Sequence, residues 1–284
     1  MHLKTITKSF SLSGIGLHTG KKVNIHFQPS KQYGIFFKRT DLKNSMLIPA
    51  RLNFVNSTVR GTSLSVEGTE IHTVEHILST CAGLNLTAIE IHVDGPEVPI
   101  LDSSAMGYVD AFKKIETKDF EDNVKTITVK EKVEYKNEDD DKVFYTAEPC
   151  DKVILNFTFL SDHPLLKHQE REFILTPANY ISQIAPSRTF IFYEDIGCLR
   201  KMGLARGGSL DNAIVVTKDK FLTGDGSLHF KDEPVRHKIL DLIGDLSLMG
   251  YPLKNIKISA VHGGHKHNVE FAKMLLRKGV INDS

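Results

Sequence analysis

The chain of 284 residues contains no tryptophan, only three cysteines and almost no net charge. Cys81, Cys150 and Cys198 are odd in number and far apart, with no CxxC pair. This usage excludes a disulfide framework and a cysteine-rich zinc site. The 36 Lys and Arg residues balance 35 Asp and Glu residues, for a formal charge of +1. That balance argues against a protein that coats nucleic acid or an anionic membrane.

Long apolar runs are also absent from the sequence. No stretch approaches the roughly 18 apolar residues of a membrane span. The opening residues, MHLKTITKSFSLSG, alternate polar and apolar types where a signal peptide would be continuously apolar. We therefore expect a cytoplasmic protein without an integral membrane segment, and no feature demands more than a monomer. Histidine, in contrast, is abundant, with thirteen residues. It is the usual metal ligand and proton carrier near neutral pH.

The order of predicted strands and helices occurs twice along the chain. Short strand patterns begin each half, and the second half includes a predicted hairpin around the acidic turn NEDDD. A charged stretch, ETKDFEDN, separates the halves at residues 116–123. Helical spacing is found in HTVEHILSTCAGL, SSAMGYVDAFKKI, EPVRHKILDLIGDLSLMG and HNVEFAKMLLRKG. The sequence therefore predicts two α+β domains, residues 1–122 and 123–284.

The segment RHKILDLIGD has the spacing of a metal site. His237 and Asp241 are four residues apart, so a helix places them one above the other on a single face. An imidazole and a carboxylate so placed can bind one zinc ion. Asp245, one turn further on, can orient another side chain. The same arc is also what an exposed polar helix face looks like, and the spacing alone leaves both interpretations open.

Two further segments carry residues suited to hydrolysis. In TVEH, Glu75 directly precedes His76, which suits a metal ligand beside a carboxylate that takes a proton from water, although a solvated helix face has the same pattern. In VHGGHKHN, the two glycines place His265 on a turn at a strand end. There it can act as a general acid partnered by Asp245, or simply belong to a polar loop.

The segment around SRTF offers an oxyanion contact and an apolar lining. The hydroxyl of Thr189 can hydrogen-bond a developing oxyanion, although a threonine at a strand end is usually structural. The apolar residues that follow it fit either a plain core or the lining of a passage for a long acyl chain. These residues include Phe190, Phe192, Ile196 and Leu199.

Taken together, these segments resemble one family. The matching stretches are GIGLHTG, TVEHILS, EVPILDSSA, SRTF, GLARGGSLDN, EPVRHKILDLIGDL and GGHKHN, which span residues 14–268. In their order and spacing they are similar to the zinc-dependent UDP-3-O-acyl-N-acetylglucosamine deacetylases of Gram-negative lipid A synthesis. The resemblance implies two similar α+β domains, each a small sheet packed with a helix pair in a β-α-α-β sandwich, with the active site at the domain interface.

The resemblance also implies roles for particular residues. His76, His237 and Asp241 would be the Zn²⁺ ligands, with a fourth position left for water and substrate. Glu75 would be the general base that activates the water. His265 would be the cationic acid for the departing amine, with Asp245 holding it.

Further positions correspond to substrate contacts in the family. Thr189 resembles the oxyanion-stabilising threonine, Lys238 the lysine that contacts substrate, and His18 a residue that lines the site. The hydrophobic passage for the 3-hydroxyacyl chain corresponds to Phe190, Phe192, Ile196 and Leu199.

The chain departs from the family pattern at two positions. His262 stands where relatives carry a lysine or arginine linked to the nucleotide diphosphate. It would serve there when protonated, unless another basic residue substitutes. Ser103 stands where glycine is more frequent, which alters a turn rather than the chemistry. The sequence has no clear counterpart of the aromatic residue that stacks on uracil.

The function implied is removal of acetate from the 2-acetamido group of UDP-3-O-(3-hydroxyacyl)-N-acetylglucosamine, the committed step of lipid A synthesis. The partner expected is this acylated UDP-sugar, and no nucleic acid is expected. Two other hypotheses stay open at this point. One is a zinc amidohydrolase for another acylated sugar. The other is a non-catalytic α+β module that binds nucleic acid, which would hold no zinc and would bind less tightly as salt rises.

Overall fold

The fold is described by a computed structural model over residues 2–283. The first ten strands are β1 His2–Ile6, β2 Phe10–Ile15, β3 Lys22–Pro29, β4 Gly34–Arg39, β5 Leu47–Pro49, β6 Val55–Ser57, β7 Ser63–Val66, β8 Thr69–Ile71, β9 Ala88–Val93 and β10 Thr117–Asn123. They are followed by β11 Thr126–Thr128, β12 Val133–Lys136, β13 Phe144–Pro149, β14 Val153–Phe159, β15 Gln169–Ile174, β16 Phe190–Phe192, β17 Ile214–Val216, β18 Phe221–Leu222, β19 Ile256–Val261 and β20 Val280–Asn282.

Four of the helices match the segments predicted from sequence. The helices are α1 Glu75–Gly83, α2 Met106–Lys113, α3 Pro177–Asn179, α4 Tyr193–Lys201, α5 Glu233–Ser247 and α6 His265–Lys278. Pro234 lies in the first turn of α5, where its missing N–H costs nothing. Helix α6 begins earlier than predicted, so His265 is its first residue rather than part of a turn.

Two five-stranded sheets have the same topology. The sheet of the first half has the order β2-β3-β9-β4-β5, and that of the second half has the order β12-β13-β19-β14-β15. In each, one parallel pair, β4 with β9 or β14 with β19, lies among antiparallel neighbours. The predicted hairpin around the acidic turn is confirmed as β12 paired with β13. The equal strand order confirms two similar α+β halves.

The helices pack between these sheets around a shared hydrophobic core. Strand β19 alternates buried and half-buried residues, with Ile256, Ile258 and Ala260 turned inward. Helices α1 and α5 are in contact, and one core cluster includes residues of both helices and of both sheets. None of the helices within residues 2–283 has both the length and the apolar character needed to cross a bilayer.

The charged stretch between the halves is an edge strand. Residues Thr117–Asn123 form β10, which pairs antiparallel with β1 near the start of the chain. Six of the seven residues of β10 are exposed, which explains why the stretch is so polar although it is a strand. Near the other end of the chain, β11 pairs with β20.

The crossing of α1 and α5 depends on a glycine. A Cβ atom added to Gly244 would lie 2.2 Å from the backbone carbonyl oxygen of Glu75, which is far inside van der Waals contact. Because the clash is with backbone, a side chain there has to move one helix away from the other. Gly244 therefore sets the distance between the two helices.

Substitution of Gly244→Ala tests this contact. We expect a loss of about 1–3 kcal/mol in the free energy of unfolding, because the helices must separate to admit the methyl group. The matched control is Gly197→Ala in the exposed helix α4, where an added Cβ meets nothing within 4 Å. This change is expected to stabilise by about 0.5–1 kcal/mol through helix propensity. Urea unfolding of both variants measures the difference, and equal stabilities would contradict the close crossing.

Candidate active site

Three buried side chains converge where α1 and α5 meet. His76 lies in the first turn of α1, and His237 and Asp241 lie one turn apart on α5. One possible ligand atom from each side chain lies within 4.8 Å of the others. Within residues 2–283, no second group of three His, Cys, Asp or Glu side chains has this arrangement. We call His76, His237 and Asp241 the triad.

The triad has the unpaired polar atoms of a metal site. Nδ1 of His76 and Oδ1 of Asp241 are buried and have no hydrogen-bond partner in the described chain. Nε2 of His237 lies 3.3 Å from Asp241 Oδ1. Two ligand atoms at about 2.0–2.1 Å from one tetrahedral ion are about 3.3 Å apart. Because unpaired buried polar atoms are costly unless something binds them, the donor set fits a metal ion.

The protonation states of the triad also suit a metal. Burial lowers the pKa of His76 to about 3, and neighbouring His237 adds to the effect. Burial likewise lowers the pKa of His237. Burial acts to raise the pKa of Asp241, but its interactions with the neighbouring basic groups, His237 and Lys238 first, bring it below its usual value. Neutral imidazoles and an ionised carboxylate are the forms that bind metals.

The orientation of His237 is fixed by the backbone opposite α5. Its Nδ1 donates a hydrogen bond to the carbonyl of Ser187 at 3.0 Å, which leaves Nε2 for the triad. The next residue, Arg188, is held in turn by two carboxylates. Its guanidinium donates to the fully buried Glu233 at 2.9 Å and to Asp225 at 2.8 Å. This ion-pair network anchors the segment that orients the ligand.

Glu75 is the buried carboxyl beside the triad. Its Oε2 accepts a hydrogen bond from the backbone N–H of Thr62 at 2.9 Å, and its Oε1 lies 3.9 Å from Nε2 of His265. Burial raises the pKa of Glu75 to about 7, although the positive charge of His265 opposes the rise. A carboxyl with a pKa near neutrality can both take and release a proton.

A buried carboxylate holds His265 opposite Glu75. Nδ1 of His265 lies 2.9 Å from Oδ2 of Asp245, which is fully buried on α5. Asp245 also accepts hydrogen bonds from Oγ1 of Thr62 at 2.6 Å and from Nδ2 of Asn268 at 2.9 Å. The hydroxyl of Tyr145 donates to the amide oxygen of Asn268 at 2.6 Å. Both carboxylate oxygens are therefore satisfied, which fixes the imidazole.

The charges around His265 keep it protonated. Burial acts to lower its pKa, but the carboxylates of Asp245, Asp241 and Glu75 outweigh burial and raise the pKa to about 10. At neutral pH the site thus holds a cationic imidazole next to a carboxyl poised near pH 7. His265 is ready to donate a proton, and Glu75 is ready to accept one.

An apolar cavity of about 320 Å³ is lined mainly by residues of the second half and also by Leu17, His18 and Arg60 of the first half. The predicted Thr189, Phe190, Ile196 and Leu199 line it, and His18 lies at its wall. Lys238 connects the cavity to the triad, because its Nζ lies 3.3 Å from Asp241 Oδ2 and 5.8 Å from the centre of the Phe190 ring. We call this cavity the passage.

The sequence predicts that Phe192 lines the passage, but in the structure Phe192 is not among the lining residues. Its ring packs instead against His163 at 5.5 Å and Phe190 at 6.3 Å. The reason is a change of direction, since β16 ends at Phe192 and α4 begins at Tyr193. Tyr193 is among the passage residues in its place.

The two departures from the family pattern lie in strained turns. Ser103 has a φ of +67°, a conformation that favours glycine. Its carbonyl and hydroxyl oxygens accept the N–H of Thr189 at 3.2 and 3.3 Å, so this turn positions Thr189. His262 has a φ of +53°, and its N–H donates to the carbonyl of Thr158 at 2.9 Å. Nδ1 of His262 is buried without a partner in the described chain.

The alternative interpretation of RHKILDLIGD and TVEH as exposed polar helix faces is wrong. His237, Asp241 and Asp245 are at most 3% exposed, and Glu75 and His76 at most 4%. Helix α5 packs against α1, α6 and the second sheet, so its polar arc faces the site rather than solvent. His18 is anchored near the start of α1, because its N–H donates to the buried carboxylate of Glu97 at 2.8 Å and Glu97 also accepts a hydrogen bond from the hydroxyl of Thr73.

Comparison with known proteins identifies the family. The model of the LpxC family, UDP-3-O-acyl N-acetylglycosamine deacetylase, matches residues 3–277. The chain belongs to this family. It is 40% identical to the UDP-3-O-acyl-N-acetylglucosamine deacetylase of Thermodesulfovibrio yellowstonii over 97% of this chain and 92% of the relative. The deacetylase of that name from Aliarcobacter butzleri is 37% identical over 97% of this chain and 90% of the relative. The one from Mannheimia succiniciproducens is 39% identical over 96% of this chain and 89% of the relative.

Membership in the LpxC family confirms the resemblance found from sequence and favours the deacetylase hypothesis over both alternatives. Sequence reasoning missed several residues that support this site. Asn268 is the last residue of the GGHKHN motif, and helical spacing could have identified it. A polar residue one helical turn from His265 can reach the same partner, Asp245. Ser187 acts through its backbone carbonyl, which no residue type reveals. Thr62 acts through both its N–H and its hydroxyl, but it lies 183 positions from Asp245 in the sequence.

Replacing Asp245 tests the electrostatics of the LpxC site. In Asp245→Asn we expect the pKa of His265 to fall from about 10 toward its ordinary 6.5, because the nearest negative charge is gone. Because the pKa of His265 is raised in the folded parent protein, His265 contributes stability that is fully present below pH 6.5. This contribution is lost as the pH rises through about 10. NMR titration of the imidazole in metal-free protein measures the shift. Asp110→Asn, on the exposed side of α2, is the control, and an unchanged His265 pKa in Asp245→Asn would contradict the pairing.

Proposed function

We propose that this chain is a zinc-dependent deacetylase that hydrolyses the 2-acetamido group of UDP-3-O-(3-hydroxyacyl)-N-acetylglucosamine to the free amine and acetate. The proposal rests on family membership together with one observation of the site. A buried donor triad, a carboxyl with a pKa of about 7 and a cationic histidine lie together beside an apolar passage. A metal amidohydrolase for an acylated sugar needs each of these parts.

Zinc is the metal that the donor set favours. His76, His237 and Asp241 would hold it, since imidazole and carboxylate ligands with an open position are typical of catalytic zinc. When bound, the ion supplies Lewis-acid chemistry, lowering the pKa of water and polarising the amide carbonyl.

Glu75 is the general base in this proposal. It takes a proton from the water whose oxygen forms the new bond to the amide carbon. Its position beside the triad and its pKa of about 7 support this role, because the ionised form is available at neutral pH. The N–H of Thr62 holds one carboxylate oxygen and leaves the other facing His265.

His265 is the general acid. It donates its Nε2 proton to the nitrogen as the carbon–nitrogen bond breaks, so the amine leaves in a neutral form. Asp245 acts through His265 as a positioning residue, since it binds Nδ1 and keeps the ring charged. Thr189, which the turn at Ser103 positions, donates its hydroxyl to the oxyanion.

The substrate contacts follow the passage. We assign the 3-hydroxyacyl chain to the lining that includes Phe190, Ile196 and Leu199, and Lys238 and His18 to the sugar end. Phe192 is assigned no direct contact. His262 is proposed as a diphosphate contact in its protonated form.

The organisation of the chain completes the proposal. The two domains divide at residues 122 and 123, near the end of β10, and each contains one of the five-stranded sheets. The triad takes one ligand from the first domain and two from the second. The protein is proposed to act in the cytoplasm as a monomer.

Replacing the general base tests the function. In Glu75→Gln we expect kcat for deacetylation of the acylated UDP-sugar to fall roughly 10²- to 10⁴-fold, the usual contribution of a general base. Zinc content should stay unchanged, because Glu75 is not in the triad.

Two measurements on each variant make this test decisive. Release of acetate gives the rate, and metal analysis of the same sample gives the zinc content. Glu121→Gln on the exposed strand β10 is the control and should have the activity of the parent chain. A metal-free parent protein, or full activity in Glu75→Gln, would exclude the mechanism.

A further inference from the structure

A second cavity, of about 280 Å³, lies between the two halves. Its walls include residues from the ends of α1 and α5, among them Ala82 and Leu246, whereas the triad residues lie nearer the beginnings of these helices. It shares no lining residue with the passage. The deacetylase chemistry proposed above makes no use of it. We call it the rear cavity.

The rear cavity has an apolar lining with one charged side chain. Ile35, Leu78, Leu246 and Leu253 are among its apolar walls. Arg51 is the one charged residue in the lining within residues 2–283. An apolar pocket with a single charged group is typical of sites for amphipathic small molecules.

Among residues 2–283, Arg51 has no carboxylate partner. Its guanidinium lies 5.5 Å from the ring centre of Tyr33 and 5.8 Å from that of Tyr251, and its Nη1 donates a 3.3 Å hydrogen bond to the carbonyl of Met249. No carboxylate of residues 2–283 lies within 4.0 Å of it. Burial raises the pKa of Tyr33 to about 12, so its phenol is neutral at physiological pH. The remaining N–H groups of Arg51 are available to an anion.

We propose that the rear cavity binds an amphipathic monoanion, a fatty carboxylate, with its chain among the apolar walls and its carboxylate on Arg51. A planar guanidinium matches a carboxylate in a bidentate fork. A single cation between two aromatic rings suits one negative charge, whereas a phosphate dianion generally recruits several donors.

The cavity volume indicates how long a bound acyl chain can be. A space of about 280 Å³ holds roughly nine groups of the size of a water molecule, whose share of liquid volume is about 30 Å³. A methylene group is of similar size. A saturated carboxylate of roughly eight to ten carbons therefore fills the rear cavity, and decanoate is the probe of choice.

Photo-crosslinking distinguishes the rear cavity from the passage. The zinc-loaded, full-length protein is irradiated with a decanoate that carries a diazirine at the end of its chain, below its micellar concentration, and the labelled peptides are identified by mass spectrometry. We expect label within residues 78–87 or 243–253, displaced by unlabelled decanoate more effectively than by decanol. Label confined to residues 189–222 reports the passage and would overturn the proposal.

Substitutions test the anion contact and the chain contact separately. Arg51→Met should weaken decanoate binding roughly ten- to hundredfold, the usual effect of removing a charge-assisted hydrogen bond, and Arg51→Lys should restore part of it. Arg277→Met, exposed on α6, is the matched control. Ala82→Leu keeps Arg51 but occupies part of the cavity, so it should also reduce labelling.

The thermal unfolding midpoint of each variant and its deacetylation rate are measured on the same samples. Labelling of the rear cavity that is as strong in both Arg51→Met and Ala82→Leu as in the parent protein would overturn the proposal. Because the labelling does not depend on turnover, failure of the deacetylase function leaves this test intact.

Discussion

The site depends on the close crossing of α1 and α5, where Gly244 lies against the backbone of Glu75. The two helices come from different halves of the chain, and only their close contact brings His76 to His237 and Asp241. A separation larger by one methyl group would pull the triad apart. The conformational cost of a helical glycine, about 0.5–1 kcal/mol, is therefore tolerated where it assembles the site.

The same contact creates an unusual electrostatic environment. Glu75, Asp241 and Asp245 are buried together with His76 and His237, and the partly buried His265 lies against Asp245. The pKa values of His265 and Glu75 are shifted by different causes. The carboxylates of Asp245, Asp241 and Glu75 raise the pKa of His265 to about 10, whereas burial raises the pKa of Glu75 to about 7 although cationic His265 opposes the rise. An apolar core of the same volume is often at least as stable as a cluster of buried charges, so stability alone does not account for this cluster.

The sequence predicted most of this because helical periodicity is local. The spacing of His237, Asp241 and Asp245 places them on one face whatever else the chain does, and the repeated order of strands and helices predicted two similar halves. Sequence spacing could not tell whether that face meets solvent or another helix. It also could not find Thr62, which contacts Asp245 across 183 positions, or the turn that moves Phe192 away from the passage.

The central claim is that one metal ion joins the two halves through the triad. Zinc content of the purified chain, of His76→Ala and of His237→Ala tests it directly, with His168→Ala on the exposed surface as the control. We expect one zinc per chain in the parent and in the control. Each triad substitution alone should remove most of that zinc, because the three ligands bind the same ion. Full zinc content in either triad variant would contradict it.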